Sequence, residues 1–234
     1  MRDQYLAAGI GRPEQYSRIL SGFNLQPFLS AVNNLDLRRQ LGISESDFVV
    51  GKIARLVALK GHDDLFAIAS EVVRSCPSVK FLLVGDGYWR ERFEQMARDS
   101  GIEKHFVFAG LVPPGQVPAL VGIMDCLVHL SAREGLARAL PQALANAKPI
   151  VTYDSDGAGE VCFDGRTGFL VASGKRELLQ ARILELASDP GLCAQLGQCG
   201  QEFVRSHFSV ERMVDDLYDL YRALQLRRAF PAAS

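Results

Sequence analysis

The chain has 234 residues, of which 48% are hydrophobic and 23% are charged, and its formal net charge is −1. This balance is ordinary for a globular protein with a substantial core, and it excludes a strongly basic surface for nucleic acid. The sequence has no apolar run of 18 residues and no apolar leader, so we expect a cytoplasmic protein. The five cysteines form no CxxC pair, which favours reduced thiols over disulfides or a zinc site.

Residues 1–47 are rich in glycine and proline turns, which predicts a lead-in or interdomain linker segment. From residue 48 onward, apolar β-rich runs alternate with stretches of helical periodicity. This alternation predicts an α/β fold, a Rossmann-like open parallel sheet with helices on both faces, over residues 48–175. The predicted strands are 48–53, 80–84, 107–109, 126–130, 149–153 and 168–171, and the predicted helices start at residue 62 or span 90–100, 116–122 and 136–147.

Residues 176–234 form a tail that we expect to be helical and to pack on the core, with breaks at residues 189–191 and 206–209. The last helix of this tail carries an apolar stripe that requires a partner surface. The stripe consists of Met213, Leu217, Leu220, Tyr221 and Leu224.

The loop after the first predicted strand carries two cations, Arg55 and Lys60, directly before a helix. Ligands of open parallel sheets bind at the carboxyl ends of the strands, and a helix N-terminus there favours phosphate. The pair is therefore predicted to hold a diphosphate, although two solvated surface charges would have the same sequence pattern. Gly85, after the second strand, permits a close backbone approach, but the chain lacks the GxGxxG pattern of a dinucleotide site.

The loop after the fourth strand has the strongest pattern for a second anion site. Glu134 and Gly135 form a turn, and a helix is expected to begin near Leu136 or Ala137 with free amides at its start. Arg138 and Gln142 are four residues apart and so share one face of that helix. Pro141 is expected in the first turn. A purely structural alternative is that Glu134 caps the helix.

These segments resemble the C-terminal, donor-binding domain of family 4 glycosyltransferases, retaining enzymes of the GT-B fold. The resemblance covers roughly residues 15–225. The matching motifs are Arg55-Leu56 with Lys60-Gly61, Leu83 to Gly87, Val107 to Gly110, Ser131 with Glu134 to Ala137, Ala145 to Val151, and Asp156 to Glu160 followed by Gly165 to Val171.

The resemblance implies a role for each matched position. Arg55 and Lys60 would bind the nucleoside diphosphate with help from the amides of Leu136, Ala137 and Arg138. Glu134 would lie near the donor sugar and phosphates, Val107 and Phe108 would lie against the nucleotide base, and Gly85 and Gly135 would also belong to the donor site. Gln142 would contact the ribose. The catalytic set would be Glu134, Arg55 and Lys60, with a UDP-sugar or GDP-sugar as donor and no metal.

Three features depart from the family pattern. Gln142 stands where a ribose-binding glutamate is usual, which predicts weaker binding, a different donor preference or a tolerated variant. Ala147 replaces a helix-ending glycine, so a different helix end is expected. The chain also has room for one Rossmann-like half, so we expect an N-terminal acceptor domain to be supplied in cis or in trans, with peripheral membrane association through that half as an option.

Two other hypotheses remain. The first is an inactive module that binds nucleotide sugars without an acceptor domain. The second is another GT-B-like enzyme, such as a sugar-nucleotide 2-epimerase, which the order of Arg55, Lys60 and Glu134 disfavours. Asp154 and Asp156 have the spacing of a DxD metal motif, but we interpret them as loop residues.

Overall fold

The structure, a computed structural model, describes residues 2–229. Residue 1 of the predicted lead-in and residues 230–234 of the predicted tail lie outside the described residues. Six parallel strands form one sheet in the order β3-β2-β1-β4-β5-β6. The predicted fold class is confirmed. The strands are β1 (Phe48–Ile53), β2 (Val79–Val84), β3 (Phe106–Gly110), β4 (Cys126–His129), β5 (Ile150–Tyr153) and β6 (Gly168–Val171).

Helices cover both faces of the sheet. They are α1 (Arg2–Ala7), α2 (Gln26–Leu29), α3 (Leu35–Gln40), α4 (His62–Ser75), α5 (Arg90–Asp99), α6 (Val117–Gly122), α7 (Ala139–Ala145), α8 (Arg176–Ser188), α9 (Pro190–His207) and α10 (Val210–Ala229). The strands and the breaks in the tail lie within two residues of the predicted positions.

Two apolar layers form the core because central parallel strands are buried on both faces. Successive side chains of a strand alternate between these layers. Val50 packs in the layer beneath α4 and α8, whereas Val49 packs in the layer on the other side, with α6, α7 and α9. The register continues these layers across the sheet, since Val50 lies opposite Phe81 on β2 and Cys126 on β4.

The described part of residues 1–47 contributes no strand, but it packs against the sheet. Phe23, Phe28 and Ile43 are buried in the second layer. Arg38 is also buried, and its guanidinium lies 3.1 Å from Asp125 while donating to the Ile123 carbonyl at 3.0 Å. This network attaches the lead-in at the amino end of the sheet.

The predicted helix over residues 136–147 is shorter than expected, because α7 begins only at Ala139. Pro141 explains the difference, since a helical proline has no N–H and its ring clashes with the carbonyl four residues earlier. That carbonyl belongs to Ala137, so helical structure starts after it. The expectation of a helix start at Leu136 or Ala137 is therefore wrong, whereas Pro141 does lie in the first turn.

The expectation of a different helix end at Ala147 is also wrong. Ala147 adopts the left-handed conformation, with φ of +52°, that a glycine normally occupies there. Its N–H donates to the Leu144 carbonyl at 2.9 Å, and the Lys148 N–H donates to the Ala143 carbonyl at 3.0 Å. These two bonds satisfy the last carbonyls of α7 as a glycine-terminated helix would. The helix end is thus retained with a strained alanine.

The tail divides into a packed part and an exposed part. Helices α8 and α9 bury apolar residues against the sheet, including Leu179, Ile183 and Val204. Helix α10 leaves the core and exposes Tyr221 and Leu224 of the predicted stripe. Among residues 2–229, no helix combines the length and the apolar character needed to cross a bilayer.

Candidate active site

The strand order places the loops after β1 and β4 side by side. β1 and β4 are neighbours in the sheet, while β2 and β3 continue in one direction and β5 and β6 in the other. The order therefore reverses between β1 and β4, and ligands of open α/β sheets bind at the carboxyl ends of strands at such a point. The two loops that the sequence singled out border this position.

Close backbone contacts hold these two loops together. Gly61 precedes α4 with φ of +66°, and a Cβ atom added there would lie 2.0 Å from the Leu130 carbonyl oxygen. The Leu59 carbonyl accepts hydrogen bonds from the Ala132 N–H at 2.8 Å and from the Ser131 hydroxyl at 3.2 Å. Glycine is required at position 61 because of its positive φ and because a Cβ atom there would collide with the Leu130 carbonyl.

Lys60 and Glu134 meet across this junction. Lys60 Nζ donates to Glu134 Oε2 at 2.9 Å, and both side chains are only partly exposed. His129 Nε2 lies 3.2 Å from the same oxygen, although the contact falls short of a well-directed hydrogen bond. The contact with His129 and the ion pair with Lys60 lower the pKa of Glu134 to about 2. Glu134 is therefore ionised at neutral pH.

Arg55 lies on the same loop as Lys60 and is exposed. Among residues 2–229, no side chain or backbone group forms a hydrogen bond or ion pair with its guanidinium. The adjacent N-terminus of α4 has no side-chain cap, because Gly61 occupies the capping position. Asp63 and Asp64 in the first turn are directed to other partners, Asp63 to Arg92 and Asp64 to Tyr153 and Arg176. An exposed cation thus lies on the same loop as Lys60, and an uncapped helix start follows Lys60 directly.

The loop after β4 is held by the loop after β5. The Glu134 N–H donates to the Asp156 carboxylate at 2.7 Å, and the Gly157 N–H donates to the Gly135 carbonyl at 2.7 Å. The Glu134 amide is therefore occupied. Asp156, the second carboxylate of the DxD-like segment, is the acceptor of this hydrogen bond. Among the described residues, no group of three or more His, Cys, Asp or Glu side chains is arranged to hold a metal ion.

A groove of about 800 Å³ separates the loop after β4 from the lead-in. Gly135, Leu136 and Arg138 line one side of it. Arg138 is exposed and reaches Ser21 of the lead-in at 3.5 Å, and Ala137 is buried. Gln142, one helical turn beyond Arg138, is half-buried.

Three further predicted donor-binding residues belong to the two strands beyond β1: Gly85 directly follows β2, and Val107 and Phe108 lie on β3. Gly85 fits closely against the protein itself, because its N–H donates to the Gly110 carbonyl at 2.9 Å and an added Cβ would lie 2.2 Å from the Ala54 carbonyl oxygen. Val107 and Phe108 are half-buried within β3. Their contact with a donor remains a prediction.

Sequence reasoning missed a buried polar cluster beneath the Lys60–Glu134 pair. Lys52 is 1% exposed on β1, and His62 is 1% exposed at the start of α4. Burial, followed by the field of Lys60, lowers the pKa of Lys52 to about 7, and burial with Lys52 and Lys60 lowers that of His62 to about 3. His129, at the end of β4, is buried and faces Glu134. The sequence does contain one indication of this cluster, because Lys52 lies within the apolar run of a central strand, β1.

Comparison with known proteins assigns the family. The model of the family described as glycosyl transferases group 1 matches residues 33–203, which include the junction of β1 and β4. The chain belongs to this family. It is 29% identical over 225 residues to EpsD of Bacillus subtilis, which is named provisionally as a glycosyltransferase, and the match covers 94% of this chain and 58% of that protein.

A second relative has a more specific name. The chain is 30% identical over 174 residues to the GDP-mannose-dependent alpha-(1-6)-phosphatidylinositol monomannoside mannosyltransferase of Mycolicibacterium smegmatis. This match covers 71% of the chain and 45% of the relative. The chain spans about half the length of the curated relatives it matches.

Solved structures confirm the GT-B assignment. Anabaena Alr3699/HepE in complex with UDP superposes with a TM-score of 0.81 at 26% identity, over 96% of this chain and 61% of that one. The C-terminal domain of the Francisella tularensis protein LpcC, at 18% identity and a TM-score of 0.70, shares the fold over 81% of this chain and over its own whole length. The chain therefore has the fold of one half of a GT-B glycosyltransferase.

Proposed function

We propose that this chain is the donor-binding half of a retaining glycosyltransferase that transfers a hexose from a UDP-sugar or a GDP-sugar without a metal ion. The observation that carries the proposal is the junction of β1 and β4, where Lys60 pairs with Glu134 and the loop that carries Arg55 leads into the uncapped start of α4. The HepE complex with UDP and the name of the mannosyltransferase, which specifies GDP-mannose, support the two donor classes.

The arrangement suits the departure of a nucleoside diphosphate. Negative charge develops on the leaving diphosphate as the sugar–oxygen bond breaks, and fixed cations stabilise this charge more in the transition state than in the ground state. Lys60 is held in place by Glu134, whereas Arg55 is free to turn toward a phosphate. The N-terminus of α4, a helix of 14 residues, adds its partial positive charge. Together these groups supply the electrostatic role that a divalent cation has in other transferases.

The remaining predicted residues would bind the rest of the donor. Glu134 would lie near the sugar, since its second oxygen, Oε1, is not used by Lys60 or His129. Gln142 would hydrogen-bond the ribose through its amide, and Val107 and Phe108 would contact the base. Gly135, Leu136, Ala137 and Arg138 would line the path of the phosphates at the wall of the groove.

A second Rossmann-like half would supply the acceptor site. The exposed apolar residues of α10, including Val214, Tyr218 and Tyr221, offer a surface for such a domain. The share of the relatives' length that the chain covers also supports a two-domain enzyme. The second half would be part of the same polypeptide or a separate one, and membrane association would come through it.

Calorimetry with UDP, GDP and ADP, each with and without EDTA, tests the donor site. We expect UDP or GDP to bind equally well in EDTA, and Arg55→Ala or Lys60→Ala to cost about 1.5–3 kcal/mol, roughly ten- to hundredfold in Kd. Arg74→Ala is the matched control, because Arg74 lies in the last turn of α4, about 20 Å from the site. Absence of binding to all three nucleotides would refute the proposal.

Gln142 favours one alternative, an inactive module that binds nucleotide sugars. An amide lacks the charge-assisted hydrogen bond that a carboxylate forms with ribose hydroxyls. The DNA upstream of the first codon discriminates between the two functions. A second Rossmann half in frame supports the transferase, whereas a stop codon favours the module.

A further inference from the structure

The Lys52 ammonium group has an unusual environment for a lysine. Lys52 lies near the carboxyl end of β1. Its side chain is on the same side of the strand as that of Val50, beneath α4. A buried lysine normally extends its chain so that the charged end reaches water. Here the Nζ atom itself is out of contact with solvent, and no residue among 2–229 forms a hydrogen bond with it.

The carboxylates near Lys52 are already balanced by other cations. The charged groups whose fields reach Lys52 are Lys60 on its own loop, Glu134 from the loop after β4 and Asp64 from α4. Glu134 is paired with Lys60, and Asp64 accepts a hydrogen bond from Arg176 at 2.6 Å. His129 and His62, which also face this region, are held neutral by burial, which lowers the pKa of each. A charged Lys52 would therefore add one uncompensated positive charge.

This imbalance is corrected by an anion at the junction of β1 and β4. A diphosphate bound at Arg55 and Lys60 brings at least two negative charges to the region directly above Lys52. Groups with strongly perturbed ionisation cluster at functional sites for this reason. Without the anion, a charged Lys52 destabilises the folded chain, because an unpaired buried charge is unfavourable.

Resting on the proposed function, we propose that Lys52 is a positioning residue of the donor site that takes up a proton from solvent when a nucleoside diphosphate binds. The proton moves from the buffer to Lys52 Nζ, and the ammonium then attracts the diphosphate through its field rather than by contact. Above neutral pH, the charge beneath Lys60 is thereby created only in the complex. Because burial holds the pKa of Lys52 at about 7 in the free protein, the uptake is largest just above neutral pH.

Calorimetry with UDP and GDP at pH 8, in two buffers of different ionisation enthalpy, measures this proton directly. We expect the wild-type chain to take up a substantial fraction of one proton per nucleotide bound. Lys52→Met, which keeps the length of the side chain without its charge, should lose this uptake and bind about tenfold more weakly. The affinity of the variant should also vary less between pH 7 and pH 9 than that of the wild type.

Lys148→Met is the matched control. Lys148 is half-buried, but it lies just before β5 at the amino end of the strands, away from the donor site, and its replacement should leave both affinity and proton uptake unchanged. Wild-type binding without proton uptake at pH 8 would overturn the inference without using a variant. So would equal uptake by the wild type and a folded Lys52→Met. If the wild type binds neither nucleotide, it is the proposed function that fails.

Discussion

Replacing Lys52 with methionine should stabilise the free protein, and the size of the effect should depend on pH. The pKa of Lys52 is lowered from 10.5 to about 7 in the folded chain. Between these two values the unfolded chain binds more protons than the folded one, so the free energy of unfolding of the wild type rises with pH. Below pH 7 the buried charge destabilises the folded chain to its full extent, and above pH 10.5 this destabilisation is absent.

The magnitude follows from the shift. Each pKa unit corresponds to about 1.4 kcal/mol, so the shift from 10.5 to about 7 corresponds to about 5 kcal/mol as an upper value. Lys52→Met should therefore raise the free energy of unfolding by about 2–4 kcal/mol at pH 7, and the gain should shrink toward pH 10.

Urea unfolding followed by circular dichroism at pH 6.5, 8 and 9.5 measures this difference. Lys175→Met, at an exposed position, should change stability by less than about 0.5 kcal/mol at each pH. The reasoning fails if Lys52→Met is less stable than the wild type at all three pH values, or if the gain does not vary with pH. Either result would mean that the Lys52 ammonium is compensated in the folded chain.

Substitutions at three further positions test the loops and the helix end. Ala147→Gly should stabilise the fold by about 0.5–1 kcal/mol in urea unfolding, because glycine adopts a φ of +52° without strain, and a loss would contradict the assignment of the helix end. Gly61→Ala should cost about 2–4 kcal/mol in thermal unfolding, since its Cβ would meet the Leu130 carbonyl; an unchanged Tm would refute that contact. Gln142→Ala should weaken nucleotide binding by only about 1 kcal/mol, and Gln142→Glu should hold or improve it. A larger loss from Gln142→Ala than from Arg55→Ala would place the nucleotide elsewhere.

The sequence by itself determined the architecture. Central parallel strands must be apolar on both faces, so all six strands stand out as short apolar runs, and the helices between them follow from periodicity. The breaks in the tail were equally visible, because Asp189 caps a helix whose first residue is Pro190. Arg55 and Lys60 could be assigned to the site because the carboxyl end of β1 is where such folds bind ligands.

Local reasoning did not resolve the start of α7 or the end of that helix. Pro141 was recognised, but its consequence for the Ala137 carbonyl depends on three-dimensional clashes within one turn. At Ala147, the preference of alanine for negative φ favoured a different helix end. The close packing of Gly197 against the Ala147 carbonyl accompanies the observed left-handed conformation. Tertiary contact overrode the local preference.

Only the tertiary structure decided which charges meet. Lys60 and Glu134 are separated by 74 residues, and their ion pair exists because β1 and β4 are neighbours in the sheet. Lys52 is unusual in the sequence as a lysine within an apolar strand, but its burial follows from the packing of α4 over the centre of the sheet. Ionisation depends on solvent exposure and on distances between charges, and both are properties of the folded chain that residue order does not contain.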